Sequence, residues 1–215
     1  MMVSAKLIGR LHVITDTMIQ SRFTPSQLAK LAISGGADTI QFRQKSTSTR
    51  QLVETAFRLK SICDQRCVPL VINDSADVAL AIGASGAHFG QEDLPVGIAR
   101  QILPSPAIIG ASARTEGKIM EAISAGADYI GFGPVFRTSS KSDAEKPKGL
   151  SELARFCQIS SCPVIAIGGI TLETVQDVIR CGAHGIAVIS AVCAVEDPIQ
   201  ATHRLAMEIQ QGLSV

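Results

Sequence analysis

Residues 36–45, GADTIQFRQK, contain the parts of a β/α unit in order. Gly36 can end a helix, Thr39–Phe42 is a short apolar run, and a polar tip begins at Arg43. Seven further runs of this kind, each followed by a polar or glycine-rich tip, are Leu11–Ile14, Leu70–Ile72, Ala87–Phe89, Ile108–Gly110, Tyr129–Ile130, Val164–Ile167 and Ile186–Ile189. The runs do not alternate between apolar and polar residues, which is typical of strands buried on both faces of a parallel sheet.

Glycine helix stops recur along the chain. The motif Gly36-Ala37-Asp38 returns as Gly86-Ala87-His88, Gly126-Ala127-Asp128 and Gly182-Ala183-His184, each time just before an even-numbered run. A glycine directly after a helix ends it by adopting a positive φ, so the recurrence indicates a repeat of two β/α units. We therefore predict an α/β protein that forms a single (β/α)8 TIM barrel domain over residues 1–215. The functional residues of such a barrel lie at the C-terminal ends of its strands.

The composition argues against several classes of function. A net charge of +1 and an aromatic content of 4%, without tryptophan, leave no basic field or stacking surface for nucleic acid. No apolar run approaches the ~20 residues of a membrane span, and the N-terminal residues lack the pattern of a secretion signal. The six cysteines form no C-x-x-C pair, so we expect reduced thiols in a cytoplasmic protein. A homo-oligomer is compatible with the sequence, which does not fix the oligomeric state.

The tip of the second run predicts an anion site. Gln41, Arg43 and Lys45 alternate along the strand, so their side chains should lie on one side of it. Arg43 can bind two phosphate oxygens at once, and Lys45 adds a compact positive charge. The alternative is an ordinary solvated rim.

The tips of the third and fourth runs predict a metal site. Asn73 and Asp74 follow the third run, and Asp93 follows the fourth. Two carboxylates from adjacent tips, beside an anion site, suit Mg²⁺, which binds a few carboxylates together with phosphate oxygens. The alternative is that Asp74 or Asp93 caps the following helix.

The remaining tips carry hydroxyl, lysine and glycine residues. Those that suit a phosphate or another oxyanion are Ser112 after the fifth run, Thr138, Ser140 and Lys141 in the long loop 133–149, Gly169 after the seventh run and Ser190 after the eighth. In many barrels the loops after strands 7 and 8 bind phosphate through backbone N–H groups, which glycine lets approach closely.

No residue of the sequence stands out as a nucleophile or a general base. We interpret His88 and His184 as structural residues near the N-terminal ends of their strands, and we expect His12 to face the barrel interior. Cys193 has no activating base in the sequence around it. A cationic site with a metal and no base favours departure of a phosphate-type leaving group, stabilised electrostatically.

Several segments resemble the thiamine-phosphate synthase family: 36–45 (GADTIQFRQK), 71–74 (VIND), 88–95 (HFGQEDLP), 126–136 (GADYIGFGPVF) and 166–170 (AIGGI). The likeness extends from about Leu11 to Ala191, with the motifs in the family's order. It implies that a hydroxymethylpyrimidine diphosphate and a thiazole phosphate join to give thiamine phosphate and pyrophosphate. The carbon–oxygen bond would break first, and the thiazole nitrogen would then capture the pyrimidine cation.

The resemblance also implies a role for each site residue. The pyrimidine diphosphate would be held by Gln41, Arg43, Lys45, Asn73, Ser112 and Lys141. Asp74 and Asp93 would bind Mg²⁺. The thiazole phosphate would be held by Thr138, Ser140, Gly169, Ile189 and Ser190.

Two departures from the family's pattern keep other functions open. Arg114 stands where members usually have histidine, and Arg137 stands where they usually have proline. A thiazole tautomerase of the same superfamily is expected to use that histidine and to lack Asp74 and Asp93. The remaining alternatives are a barrel that only binds thiamine precursors and a sugar-phosphate isomerase or epimerase, which would need a base at a strand tip.

Overall fold

The computed structural model describes residues 8–138 and 146–214, which form a closed barrel of parallel strands. The strands are β1 (Leu11–Asp16), β2 (Thr39–Arg43), β3 (Leu70–Asn73), β4 (Gly86–Phe89), β5 (Ile108–Ser112), β6 (Tyr129–Phe132), β7 (Val164–Ile167) and β8 (Gly185–Val188). Each strand pairs with the next in sequence, and β8 pairs with β1. The predicted (β/α)8 barrel is therefore confirmed.

Helices follow every strand and surround the barrel. They are α1 (Pro25–Ser34), α2 (Thr49–Gln65), α3 (Ala76–Ala81), α4 (Val96–Ile102), α5 (Glu116–Ser124), α6 (Gly149–Ile159), α7 (Val175–Arg180), α8 (Ser190–Cys193) and α9 (Pro198–Leu213). Capping boxes begin α1 at Thr24 and α2 at Ser48, where each side chain accepts the backbone N–H three residues later. No helix within the described ranges is long and apolar enough to cross a membrane.

Several strands extend further than their apolar runs. Ser112 still pairs with Gly131 in the β5–β6 ladder, although neither residue is apolar. Ile189 was placed in the last run, but its backbone has left the strand and precedes α8. Strand bounds follow backbone pairing rather than hydrophobicity, which explains both differences.

The helix stops are confirmed at three of the four predicted glycines. Gly36, Gly126 and Gly182 have φ values of 101°, 96° and 95°, respectively. Gly86 is instead the first residue of β4, and the stop after α3 is Gly83, with a φ of 62°. The equivalent motif is therefore Gly83-Ala84-Ser85, three residues earlier than predicted.

The polar residue that follows each stop forms what we term a strand clasp, a hydrogen bond to the backbone at the start of a neighbouring strand. Asp38 accepts the N–H groups of Arg10 and Leu11, each at 2.9 Å. The other clasps are Ser85 to the Leu70 N–H at 3.1 Å, Asp128 to the Ile109 N–H at 2.7 Å and His184 Nε2 to the Ile8 carbonyl at 2.8 Å. The repeated motif thus ends a helix and fixes the start of an adjacent strand.

Candidate active site

A cavity of about 260 Å³ opens at the C-terminal end of the barrel. The predicted site residues that line it are Gln41, Arg43, Lys45, Asn73, Asp74, Asp93, Ser112 and Ile189. The alternation in β2 therefore places Gln41, Arg43 and Lys45 on one side of the chain, as predicted. Thr138, Gly169 and Ser190 are described but do not line this cavity, whereas Ser140 and Lys141 lie outside the described residues.

Arg43 and Lys45 differ in how firmly they are held at the cavity. Arg43 forms an ion pair with Asp16 at the end of β1, and the side chain of Asp16 is only 1% exposed. The other oxygen of Asp16 accepts the N–H of Met18 at 2.9 Å. Lys45 is more exposed, and its Nζ lies 3.6 Å from Oδ2 of Asp74. Asp16 had been assigned no role from the sequence, yet it fixes the orientation of the main guanidinium of the site.

The two carboxylates predicted to bind metal lie together. Burial and a hydrogen bond and charge from Asp93 raise the pKa of Asp74 to about 6, against the opposing effect of Lys45 and Arg43. Asp93 Oδ2 accepts the Gly90 N–H at 2.6 Å. Neither aspartate caps the next helix, because the residues at the N-caps of α3 and α4 are Ser75 and Pro95, without side-chain cap bonds.

The backbone at Asp74 adopts an uncommon conformation. Its φ is 66°, in the left-handed region that residues other than glycine seldom occupy, and its N–H donates to the His88 carbonyl at 2.8 Å. Such conformations persist where surrounding contacts enforce them, often at functional sites. Here the conformation turns the chain at the end of β3 while the carboxylate faces the cavity.

The floor of the cavity is formed by His12, His88 and Tyr129. The placement of His88 near the N-terminal end of its strand was wrong, because it lies within β4 and its ring faces the cavity. His88 stacks on Tyr129 with centroids 5.4 Å apart, and His12 meets the edge of Tyr129 at 5.3 Å. His12 does face the interior, as expected, whereas His184 forms its clasp at the opposite end of the barrel.

His12 remains neutral because it is buried. Its burial lowers the pKa to about 4, and the bond to the Gly9 carbonyl at 3.1 Å only partly opposes this effect. An imidazole with this pKa carries no charge at neutral pH and binds no anion by charge.

We expect His12 to make the fold acid-sensitive. Because its pKa is lower in the folded chain than the usual histidine value of 6.5, the unfolded chain takes up the proton first. Stability from this residue is complete above about pH 6.5 and is lost as the pH falls towards 4. Between pH 7.5 and pH 5, the free energy of unfolding measured with urea should fall by about 2 kcal/mol less in His12→Gln than in the parent.

His203→Gln is the matched control for that comparison, because His203 is exposed on α9. It should retain the pH dependence of the parent. Equal pH dependence in the parent and His12→Gln would contradict a neutral buried His12.

The double glycine after β7 makes room for the neighbouring loop. Gly168 and Gly169 have φ values of 99° and 66°, and a Cβ on either would collide with the segment Pro134–Arg137. The N–H groups of Val135 and Phe136 donate to the carbonyls of Ile167 and Gly168, both at 2.9 Å. This packing explains both glycines structurally, and phosphate binding by Gly169 stays a prediction.

The two arginines that depart from the family's pattern have different locations. Arg114 lines the cavity, next to the C-terminal end of β5. Arg137 is exposed and is not among the cavity-lining residues. Of the two, Arg114 therefore adds a cation to the site.

The buried thiol near the site is not activated. Cys193 donates to the Ile14 carbonyl at 3.2 Å, and burial raises its pKa to about 12. A thiol with this pKa is protonated at neutral pH and is a poor nucleophile. This environment agrees with the absence of an activating base in the sequence around Cys193.

The fold and the cavity define a (β/α)8 barrel protein suited to an anionic small molecule. Solved structures with low sequence identity share this architecture, including 3-hexulose-6-phosphate synthase from Salmonella typhimurium. That structure has a TM-score of 0.71 and 14% identity, and the match covers 94% of this chain and 99% of that one. Similarity at this level concerns the fold alone.

The family model described as thiamine monophosphate synthase matches residues 11–192, so the chain belongs to that family. A thiamine-phosphate synthase from Salinibacter ruber is 49% identical over 93% of this chain and 88% of its own length. Another, from Chloroflexus aurantiacus, is 43% identical over 91% and 90%, respectively. The solved thiamine phosphate pyrophosphorylase from Pyrococcus furiosus is 36% identical, with a TM-score of 0.86 over 95% of this chain and 96% of that one. The resemblance is therefore confirmed, and the chain is a transferase of thiamine biosynthesis.

Proposed function

We propose that the protein joins 4-amino-2-methyl-5-hydroxymethylpyrimidine diphosphate to 4-methyl-5-(2-phosphoethyl)thiazole, forming thiamine phosphate and pyrophosphate. The bond between the pyrimidine methylene carbon and the diphosphate oxygen breaks, and its electron pair leaves with pyrophosphate. The thiazole nitrogen then supplies the pair for the new carbon–nitrogen bond. The observation that carries this proposal is that Arg43 and Lys45 line the same cavity as Asp74 and Asp93.

The cations suit the departure of a diphosphate. Arg43 is held by Asp16 at the end of β1, so its guanidinium is oriented before a ligand binds. Lys45 Nζ lies 3.6 Å from Asp74 Oδ2, and its exposed side chain can neutralise either that carboxylate or a bound diphosphate. Fixed positive charge at the point where negative charge develops lowers the barrier without reorganisation.

The carboxylates fit Mg²⁺. Asp74 and Asp93 are close enough for Asp93 to raise the pKa of Asp74. A bound divalent cation would offset the repulsion between the two negative charges. No cluster of three or more His, Cys, Asp or Glu side chains occurs among the described residues, and Mg²⁺ commonly takes its other ligands from phosphate and water. When bound, the ion would neutralise charge on the departing diphosphate.

The rival functions have less support from the cavity. The resemblance implies a histidine at position 114 for a tautomerase, whereas Arg114 lines the cavity here together with both aspartates. A barrel that only binds precursors has no need for carboxylates beside the leaving group. An isomerase would use a base such as Asp74, so its reaction should proceed without the second substrate.

The test is an assay of the purified protein with both substrates and Mg²⁺, with EDTA as the control. We expect equal amounts of thiamine phosphate and pyrophosphate, and no product when the metal is chelated. Folded protein that forms no product would contradict the proposal. Interconversion of carboxylated thiazole phosphate tautomers, with no coupling to the pyrimidine, would identify the tautomerase instead.

A further inference from the structure

Four polar side chains form a hydrogen-bonded chain across the barrel interior, which we call the interior relay. Its members are Gln41 on β2, Tyr129 on β6, His88 on β4 and Ser112 on β5. The Tyr129 hydroxyl lies 3.0 Å from His88 Nδ1, and His88 Nε2 lies 2.9 Å from Ser112 Oγ. The side chain of Gln41 completes the chain through a hydrogen bond with Tyr129.

The barrel is shaped around the relay. Tyr129 is 1% exposed, Gln41 is 5% and His88 is 9%. A Cβ at Gly110 would overlap the Tyr129 ring, and one at Gly131 would lie 3.0 Å from His88 Cε1. The two glycines therefore leave the space that the tyrosine and the histidine occupy. Burial of polar groups is costly unless each one has a partner, and the relay supplies those partners.

A neutral imidazole has one N–H and one lone pair, so with a neutral His88 the relay can run in one of two directions. In the first direction, the Tyr129 hydroxyl donates to Nδ1 of His88. His88 Nε2–H then donates to Ser112 Oγ, and the proton of Ser112 is left for an acceptor in the cavity. In the opposite direction, Ser112 donates to His88 and offers only lone pairs to the cavity.

The surroundings favour the first direction. Tyr129 is only 1% exposed, so its hydroxyl proton needs an acceptor inside the barrel, and His88 Nδ1 lies 3.0 Å from the hydroxyl oxygen. The Gln91 side chain also donates to the Ser112 carbonyl, which holds the end of β5 in place.

We propose that Tyr129 and His88 are positioning residues that commit the Ser112 hydroxyl to donate to an acceptor atom of the pyrimidine diphosphate. This inference rests on the proposed function and adds residues to it. Tyr129 and His88 act through Ser112, by fixing which of its groups faces the ligand. The acceptor is either a diphosphate oxygen or a ring nitrogen, since both carry lone pairs.

A double-mutant cycle in kcat/KM tests the relay. Tyr129→Phe keeps the ring and removes its hydroxyl, and we expect about a tenfold loss, the scale of one well-placed hydrogen bond. In a Ser112→Ala background, Tyr129→Phe should cause little further loss, because the group that it orients is absent. An equal loss in both backgrounds, or no loss in the parent, would overturn the proposal.

Thr202→Val is the matched structural control. Thr202 is fully buried and donates to the Pro198 carbonyl at 2.7 Å within α9, so this variant also removes a buried hydroxyl. It should lower the unfolding midpoint while leaving kcat/KM unchanged. Loss of activity in Thr202→Val equal to that in Tyr129→Phe would assign the effect to stability and count against the relay.

A second readout does not depend on turnover. The chain has four histidines, and ¹⁵N labelling with His88→Gln for assignment reports which ring nitrogen of His88 carries the proton. With the pyrimidine diphosphate bound and no thiazole present, we expect the proton of His88 on Nε2; a proton on Nδ1 would overturn the direction.

Binding of inorganic pyrophosphate distinguishes the two possible acceptors, because Ser112→Ala weakens that binding only if Ser112 donates to the diphosphate. If the pyrimidine diphosphate binds and His88 carries its proton on Nε2, but no thiamine phosphate forms, the result contradicts the proposed function and still supports the relay.

Discussion

Asp93→Asn should reduce kcat/KM about 100-fold at a fixed, subsaturating Mg²⁺ concentration, the upper range for disturbance of a metal site. The substitution removes one negative charge from the pair with Asp74, while the remaining amide oxygen can still accept the Gly90 N–H. Because the loop contact is retained, the loss should come from weaker Mg²⁺ binding rather than from unfolding. A titration with Mg²⁺ should therefore recover part of the activity at high metal concentration.

Asp77→Asn is the control for the change in charge. Asp77 is exposed in the first turn of α3, in the segment that follows Asp74. It should retain the activity and the Mg²⁺ dependence of the parent. An Asp93→Asn protein that is folded and fully active would remove Asp93 from the metal site.

The second large effect is expected at the buried ion pair of Asp16 and Arg43. Arg43→Gln leaves the Asp16 carboxylate buried without its cation, which should lower the free energy of unfolding by about 3 kcal/mol. It also removes the main cation of the proposed diphosphate site, so kcat/KM should fall at least about 100-fold.

The double variant Asp16→Asn with Arg43→Gln separates these two effects. Two amides can pair without a buried charge, so most of the lost stability should return. Activity should not return, because the cation is still absent. Thermal unfolding and steady-state assays of the parent, Arg43→Gln and the double variant measure the two quantities independently. Recovery of activity in the double variant would show that Arg43 matters only for stability.

Features that depend only on the spacing of nearby residues were predictable from the sequence. The apolar runs located all eight strands, and the alternation in β2 placed Gln41, Arg43 and Lys45 at the cavity. The capping boxes at Thr24 and Ser48 were also readable, since each bond joins residues three apart. Local spacing decides each of these features, so one sequence is sufficient.

Residues that depend on distant partners were not predictable in the same way. Asp16 is buried in an ion pair with Arg43 from the next strand, and no local pattern marks that pair. His88 was misassigned because Gly86-Ala87-His88 imitates a helix stop, whereas the true stop begins at Gly83. The role of Tyr129 required the space left by Gly110, on a different strand. Ser140 and Lys141 stay predictions, since they lie outside the described residues.

The strand clasps bear on how this barrel can be rearranged by genetic engineering. Three of them join strands within a pair, β1 with β2, β3 with β4 and β5 with β6, through Asp38, Ser85 and Asp128. The fourth joins the residue before β8 to Ile8 and so crosses the seam where the ring closes. A circular permutant opened at the exposed Pro104, between β4 and β5, would leave every clasp within a pair uncut. One opened between Gly36 and Asp38 would separate a helix stop from its clasp, which makes Pro104 the better new terminus.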